Sequence, residues 1–142
     1  MGLLDPNLEA AFRATRYVID APRGAIELRI GGPGPSTSEG RPLAERWAYI
    51  TADNPGATQC DERENERRRT TLEAELAAGG WRLYRGRSIA DSGDWPIEHG
   101  WLVLDIPLAD ALELGRRHEQ VAILAGAGAS EVRLMECSES SP

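Results

Sequence analysis

The segment Trp101–Ile106 is the most apolar strand-like run in the chain, and a sheet that contains it must place it centrally. What surrounds it sets the architecture. Pro107 opens a helix that runs to about His118, with Leu108, Ala111, Leu112 and Gly115 turned inward. A strand over 120–125, a turn over 126–130 and a last strand over 131–136 follow. On the other side, Trp81–Gly86 reads as a strand, preceded by a helix from about 61 to 78 that stops at Gly79–Gly80. Before that helix, Arg46–Ala52 alternates Trp47, Tyr49 and Thr51 with Ala48, Ile50 and Ala52, and Asp53–Asn54–Pro55–Gly56 ends it sharply. The order β(46–52) α β(81–86) β(101–106) α β(120–125) is that of a split βαβ unit. It implies an α+β fold: an antiparallel sheet with two helices on one face and a ferredoxin-like βαββαβ core.

The N-terminal part adds to this core. Asp5–Pro6 starts a helix over 6–15 whose apolar stripe is Leu8, Ala11 and Phe12. Tyr17–Asp20 and Ala25–Ile30 flank turn chemistry at Ala21–Pro22–Arg23–Gly24, which predicts a β-hairpin. Residues 31–42 carry Gly, Pro, Ser and Thr in a pattern unfit for regular structure and read as a flexible loop, with an ordered lid as the other reading. The 142 residues therefore suit a single domain over 1–137 with a disordered tail over 138–142.

Composition removes several chemistries. All sixteen basic residues are Arg, so no P-loop lysine and no Schiff-base lysine exists in this chain. Two His and two Cys, far apart, do not suit a four-ligand zinc or iron–sulfur site, and neither metal nor cofactor is expected. No stretch approaches a membrane span, and the N-terminus lacks the pattern of a signal peptide. Cys60 and Cys137 show no disulfide or redox spacing, which fits a reducing cytoplasm, and the Arg- and Ala-rich usage suits a bacterial genome. The net charge of −7 disfavours an extended nucleic-acid surface and leaves a homodimer open.

The candidate site residues are polar groups on apolar faces. The helix over 61–78 has its stripe at Leu72, Leu76 and Ala77; projected backward, that stripe reaches Arg68/Arg69 and then Asn65. A buried Arg needs a carboxylate, and Glu98 before the central strand is the nearest candidate for Arg68. One reading is a structural Arg68–Glu98 pair; the other is a guanidinium presented to an anion with Glu98 as orienter or general base. Asn54 at the strand end reads as a turn cap or as a site amide. The alternating Asp, Glu and Arg over 61–69 reads as a solvated helix face rather than a phosphate patch. Trp95–Pro96 reads as a hydrophobic plug or a stacking platform. His99 follows Glu98 on a strand and points to the opposite face, while His118 suits the C-terminus of its helix. Asp91, Asp94 and Glu98 are the acidic residues best spaced for a hard cation, a weaker reading than no metal.

Three segments carry a resemblance: Ala48–Tyr–Ile–Thr–Ala–Asp–Asn–Pro55, Glu64–Asn–Glu–Arg–Arg–Arg–Thr–Thr–Leu72, and Asp94–Trp–Pro–Ile–Glu98 continuing through Gly115–Arg–Arg–His–Glu–Gln120–Val–Ala122. Over about residues 46–126 the chain resembles the bacterial family known as domain of unknown function 3293. The resemblance implies a shared polar cluster at Asn54, Glu64, Asn65, Arg68, Glu98 and Gln120. Arg69 stands where that family often has Asn, and Glu119 where it more usually has Gly, which bears on a tight bend there. The resemblance supplies no reaction.

Two functions follow as expectations. The first is a non-catalytic domain that binds a small anionic molecule or a protein partner through Asn54, Asn65, Glu64, Arg68, Trp95 and Gln120. The second is a hydrolase or transferase with Glu98 as general base and Arg68 as anion stabiliser. A nucleic-acid role for the Arg63–Arg69 face is the weakest of the three.

Overall fold

The computed structural model describes residues 4–137, and the expected tail over 138–142 lies outside them. The described residues form α1 (Pro6–Arg13), β1 (Thr15–Ala21), β2 (Gly24–Leu28), β3 (Trp47–Thr51), α2 (Glu62–Ala78), β4 (Arg82–Ala90), β5 (Glu98–Leu104), α3 (Leu108–Arg117), β6 (Ala122–Gly126) and β7 (Arg133–Glu136). Local chemistry sets the helix starts. Asp5 accepts from the amides of Asn7 and Leu8 at the head of α1, and Asp61 accepts from Glu64 at the head of α2.

The strands make one seven-stranded antiparallel sheet in the order β2-β1-β4-β5-β3-β6-β7. The mixed α and β character and the antiparallel sheet agree with the sequence, but the sheet is larger than a four-stranded core. β1 and β2 extend it beyond β4, and β7 extends it beyond β6. The sheet also curls until its ends meet. Gly31 N–H donates to Val132 O at 2.9 Å, Val132 N–H donates to Gly32 O at 2.8 Å, and Pro33 bridges Glu131. The segment 31–42 holds no helix or named strand. It is tied further by Gly34 N–H to Ala129 O and Leu43 N–H to Pro35 O.

Strand alternation divides the core in two. On the α2–α3 face, Ala48, Ile50, Val103, Ile123 and Ala125 pack with Leu72 and Leu76 of α2 and Ala111 of α3. On the opposite face, Tyr17, Ile19, Leu28, Trp47, Tyr49, Leu102, Leu104 and Leu124 form a second cluster, partly covered by Phe12 of α1. Two elements run longer than their local sequence suggests. β4 reaches Ala90 because Thr15–Ile19 of β1 pairs along its end, and β5 begins at Glu98, opposite Ser88. No helix among the described residues is long and apolar enough to cross a membrane.

Candidate functional site

The site grows from the end of β3. The chain leaves the strand at Ala52 and turns at Asn54, whose φ of 49° lies in the left-handed region that Asn tolerates better than most residues. Asn54 N–H donates to Asn65 Oδ1 at 2.8 Å, and Asn65 Nδ2 donates back to Asn54 Oδ1 at 2.9 Å. Cys60 N–H also donates to Asn54 Oδ1, and the Cys60 thiol donates to Asn65 Oδ1. The remaining group, Asn54 Nδ2, reaches across to Glu98 Oε2 at 2.7 Å. Both amides are buried. Every side-chain oxygen and nitrogen of the two amides has a partner, which makes this pair a rigid frame.

Asp53 anchors the frame from the other side. Its side chain is 1% exposed and accepts from Arg69 Nε at 2.8 Å, Arg69 Nη2 at 2.9 Å and His99 N–H at 2.9 Å. This is a two-point guanidinium–carboxylate contact with a backbone amide added. Gln120 Nε2 donates to Asp53 O at 3.2 Å and to His118 O at 3.3 Å, tying the start of β6 to the same turn.

Next to this frame, on the α1 face of the sheet, lies a cavity of about 310 Å³. Leu8 and Phe12 of α1, Tyr17 of β1, Tyr49 of β3 and Leu124 of β6 give it apolar walls. Glu98, Ser88 and Asn54 bring polar atoms to it, and Trp95, 43% exposed, stands at its rim. Glu98 Oε2 holds two donors, Asn54 Nδ2 at 2.7 Å and Trp95 Nε1 at 3.0 Å. Glu98 Oε1 and Ser88 Oγ have no protein partner among the described residues, and neither is a sealed orphan atom. Ser88 and Glu98 are direct cross-strand neighbours.

Tyr49 explains how the cavity is shaped. Its ring lies over Gly86 and Gly100, which face each other on β4 and β5. A Cβ at Gly86 would come within 2.7 Å of Tyr49 Cε1, and one at Gly100 within 2.8 Å of its hydroxyl. Tyr17 meets the Tyr49 ring edge-on, with centroids 5.6 Å apart. The Tyr49 hydroxyl is the one buried side-chain polar atom without a partner among the described residues. A hydroxyl in that state costs about 1–3 kcal/mol.

Burial pushes the Glu98 carboxyl above its usual 4.5, and nearby Asp53 adds to the rise; the hydrogen bonds from Asn54 and Trp95 and the charge of Arg69 oppose it. Burial likewise holds the Tyr17 and Tyr49 hydroxyls protonated well beyond the usual range.

The structure brings together Asn54, Asn65, Glu98, Trp95 and Gln120 from the sequence-predicted set. It does not bring Arg68 to Glu98. Arg68 pairs with Glu64 at 2.8 Å and with Glu119 at 3.5 Å, and Glu64 also holds Arg67 at the surface. The inward ion pair belongs to Arg69 instead, because Arg68 and Arg69 flank the Leu72–Leu76 stripe on opposite sides and Asp53 lies on the Arg69 side. Glu119 adopts φ 58°, so the bend before Gln120 is kept without glycine. His99 points away from Glu98 and is exposed, and His118 caps α3 with its ring bonded to Glu75. Among the described residues no group of three or more His, Cys, Asp or Glu is placed to hold a metal. The sequence reasoning missed Ser88, Asp53 and Tyr49 as site residues, and it reached Arg69 on the helix stripe without assigning it the inward carboxylate. The two glycines inside strands were the available signal for Tyr49.

A family model described as "Protein of unknown function (DUF3293)" matches residues 50–123. That span contains the frame and Ser88, Trp95 and Glu98, whereas α1, Tyr17 and Tyr49 lie outside it. No curated protein and no solved structure matches the chain.

Proposed function

The chain belongs to the DUF3293 family of proteins of unknown function, and from that premise we propose that the cavity on the α1 face binds a small, mainly apolar molecule without negative charge, whose polar end lies between Ser88 and Glu98. The observation that carries this reading is that Glu98, with an uncommitted Oε1, lines a cavity whose walls are mostly apolar. A cavity of about 310 Å³ is at the small end for small-molecule sites, and apolar walls with few convergent polar groups are their usual composition.

This ligand differs from the small anion expected at Arg68. Arg68 and Arg69 are both engaged by carboxylates, and neither lines the cavity. An anionic head would face the Glu98 carboxyl with no cation beside it. The inner strand order β6-β3-β5-β4 supports reading that part of the sheet as a ferredoxin-like unit, with β1, β2 and β7 as additions. The cysteine usage supports a cytoplasmic setting.

Three probes with a similar phenyl body test the charge rule: phenylacetone, 2-phenylethylamine and 3-phenylpropionate. By calorimetry, the ketone and the amine are expected to bind at least about tenfold more tightly than the carboxylate, a difference of roughly 1.4 kcal/mol. Amine binding should weaken as the pH falls through the raised range of Glu98, since protonation removes the negative partner. Tighter binding of the carboxylate, or no binding by any probe at millimolar concentration, overturns the proposal.

A further inference from the structure

Resting on the cavity's reading as a small-molecule site, we propose that Glu98 and Ser88 make it a proton-transfer centre for a small apolar ketone or aldehyde bearing a C–H bond next to its carbonyl. The two residues are directly opposed on β5 and β4, both line the cavity, and each has an uncommitted atom. Side chains so paired lie about 5 Å apart at Cβ. A carbonyl group and the adjacent carbon therefore span the gap between a hydroxyl donor and a carboxylate acceptor.

The step balances within the site. Glu98 Oε1 forms a bond to the proton on the carbon beside the carbonyl as that C–H bond breaks. Its electron pair becomes the C=C bond, and the C=O π pair moves onto oxygen. The enolate oxygen accepts a hydrogen bond from Ser88 Oγ. Glu98 then returns the proton to the same carbon or, in a conjugated substrate, to the carbon two bonds away. Charge and atoms are conserved without any co-reactant.

Three features suit Glu98 to this role. Asn54 and Trp95 fix Oε2, so the carboxylate is held while Oε1 keeps its lone pairs uncommitted. Leu8, Phe12, Tyr17 and Leu124 put apolar surface around the base, which favours an apolar substrate body. Burial and Asp53 raise its proton affinity, opposed by Arg69 of α2, while Tyr17 of β1 and Tyr49 of β3 stay neutral beside it. Covalent catalysis is poorly served by comparison. The Cys60 thiol is bound to Asn65, His99 faces away, and Ser88 has no imidazole partner.

The test follows phenylacetone in D2O by proton NMR, reading exchange at the carbons beside its carbonyl, with the full chain, Glu98→Gln and Ser88→Ala. The wild-type chain is expected to accelerate exchange about a hundredfold over buffer. Glu98→Gln should return it to the buffer rate while calorimetry still detects bound phenylacetone, and Ser88→Ala should lower the rate to a value between the two. The wild-type rate should fall as Glu98 becomes protonated. If phenylacetone binds and exchange stays at the buffer rate, or if Glu98→Gln exchanges as fast as wild type, proton transfer is overturned and the binding reading stands. If phenylacetone does not bind but 2-phenylethylamine does, proton transfer on a ketone is overturned alone. If no probe binds, both fall.

Discussion

Replacing Arg69 with Met is expected to lower the unfolding free energy by about 2–4 kcal/mol, because it strands the buried Asp53 carboxylate although Arg69 itself is only partly buried. Asp53 is 1% exposed, and Arg69 supplies two of its three donors; without them it keeps only the His99 amide. Methionine fills similar volume against the stripe, so the loss reports the stranded carboxylate rather than a void. Arg68→Met is the control. Its partners Glu64 and Glu119 are 34% and 66% exposed and can return to water, so the expected loss is under about 1 kcal/mol. Urea unfolding of both variants reads the contrast. Equal losses would contradict the assignment of the inward position to Arg69.

Gly100→Ala is the second large effect. The added Cβ would meet Ile50 O at 2.7 Å and the Tyr49 hydroxyl at 2.8 Å, both closer than real Cβ contacts. Ile50 O belongs to a central strand flanked by β5 and β6, and Tyr49 is 3% exposed, so neither has room to yield. Overpacking of this kind costs about 1–3 kcal/mol. Because Tyr49 also walls the cavity, probe affinity should fall together with stability. Adding Tyr49→Phe removes the hydroxyl contact and an unpartnered polar atom but leaves the ring carbon Cζ at 2.9 Å and Ile50 O at 2.7 Å, so the double variant should recover only part of the lost stability. Recovery in urea unfolding no larger than the effect of Tyr49→Phe alone would show that the hydroxyl does not press on Gly100.

These two residues also mark how far the sequence could be read. Helical spacing from Leu72 and Leu76 reaches Asn65 correctly, and it reaches Arg68 and Arg69 together. The choice between them depends on Asp53, which sits beyond an irregular loop whose path no local rule specifies. Strand alternation likewise separates Glu98 from His99 but cannot say which side holds a cavity. That depends on Tyr49 lying over glycines of two other strands, a consequence of long-range register. The hairpin of β1 and β2 was legible from its turn, whereas its docking on β4 was not, since Thr15–Ile19 pairs with residues about seventy positions away. Ser88 was hidden for the same reason: it became a neighbour of Glu98 only once β4 extended to Ala90.

The proposed ligand site requires that Glu98 be held in place for a ligand rather than brace the fold. Its carboxyl has a raised pKa, so between the usual 4.5 and the raised value the folded state binds more protons than the unfolded one. Stability therefore falls as pH rises through that window, and the ionised side chain costs stability at neutral pH. Glutamine keeps an oxygen acceptor for Asn54 and Trp95 but carries no charge. The most direct measurement is the unfolding free energy of Glu98→Gln against wild type, without ligand, from neutral pH down to the ordinary carboxylate range. The variant is expected to be at least as stable as wild type at neutral pH, with the difference shrinking as the pH falls. A variant clearly less stable than wild type across that range would make Glu98 a structural brace and contradict its role in a ligand site.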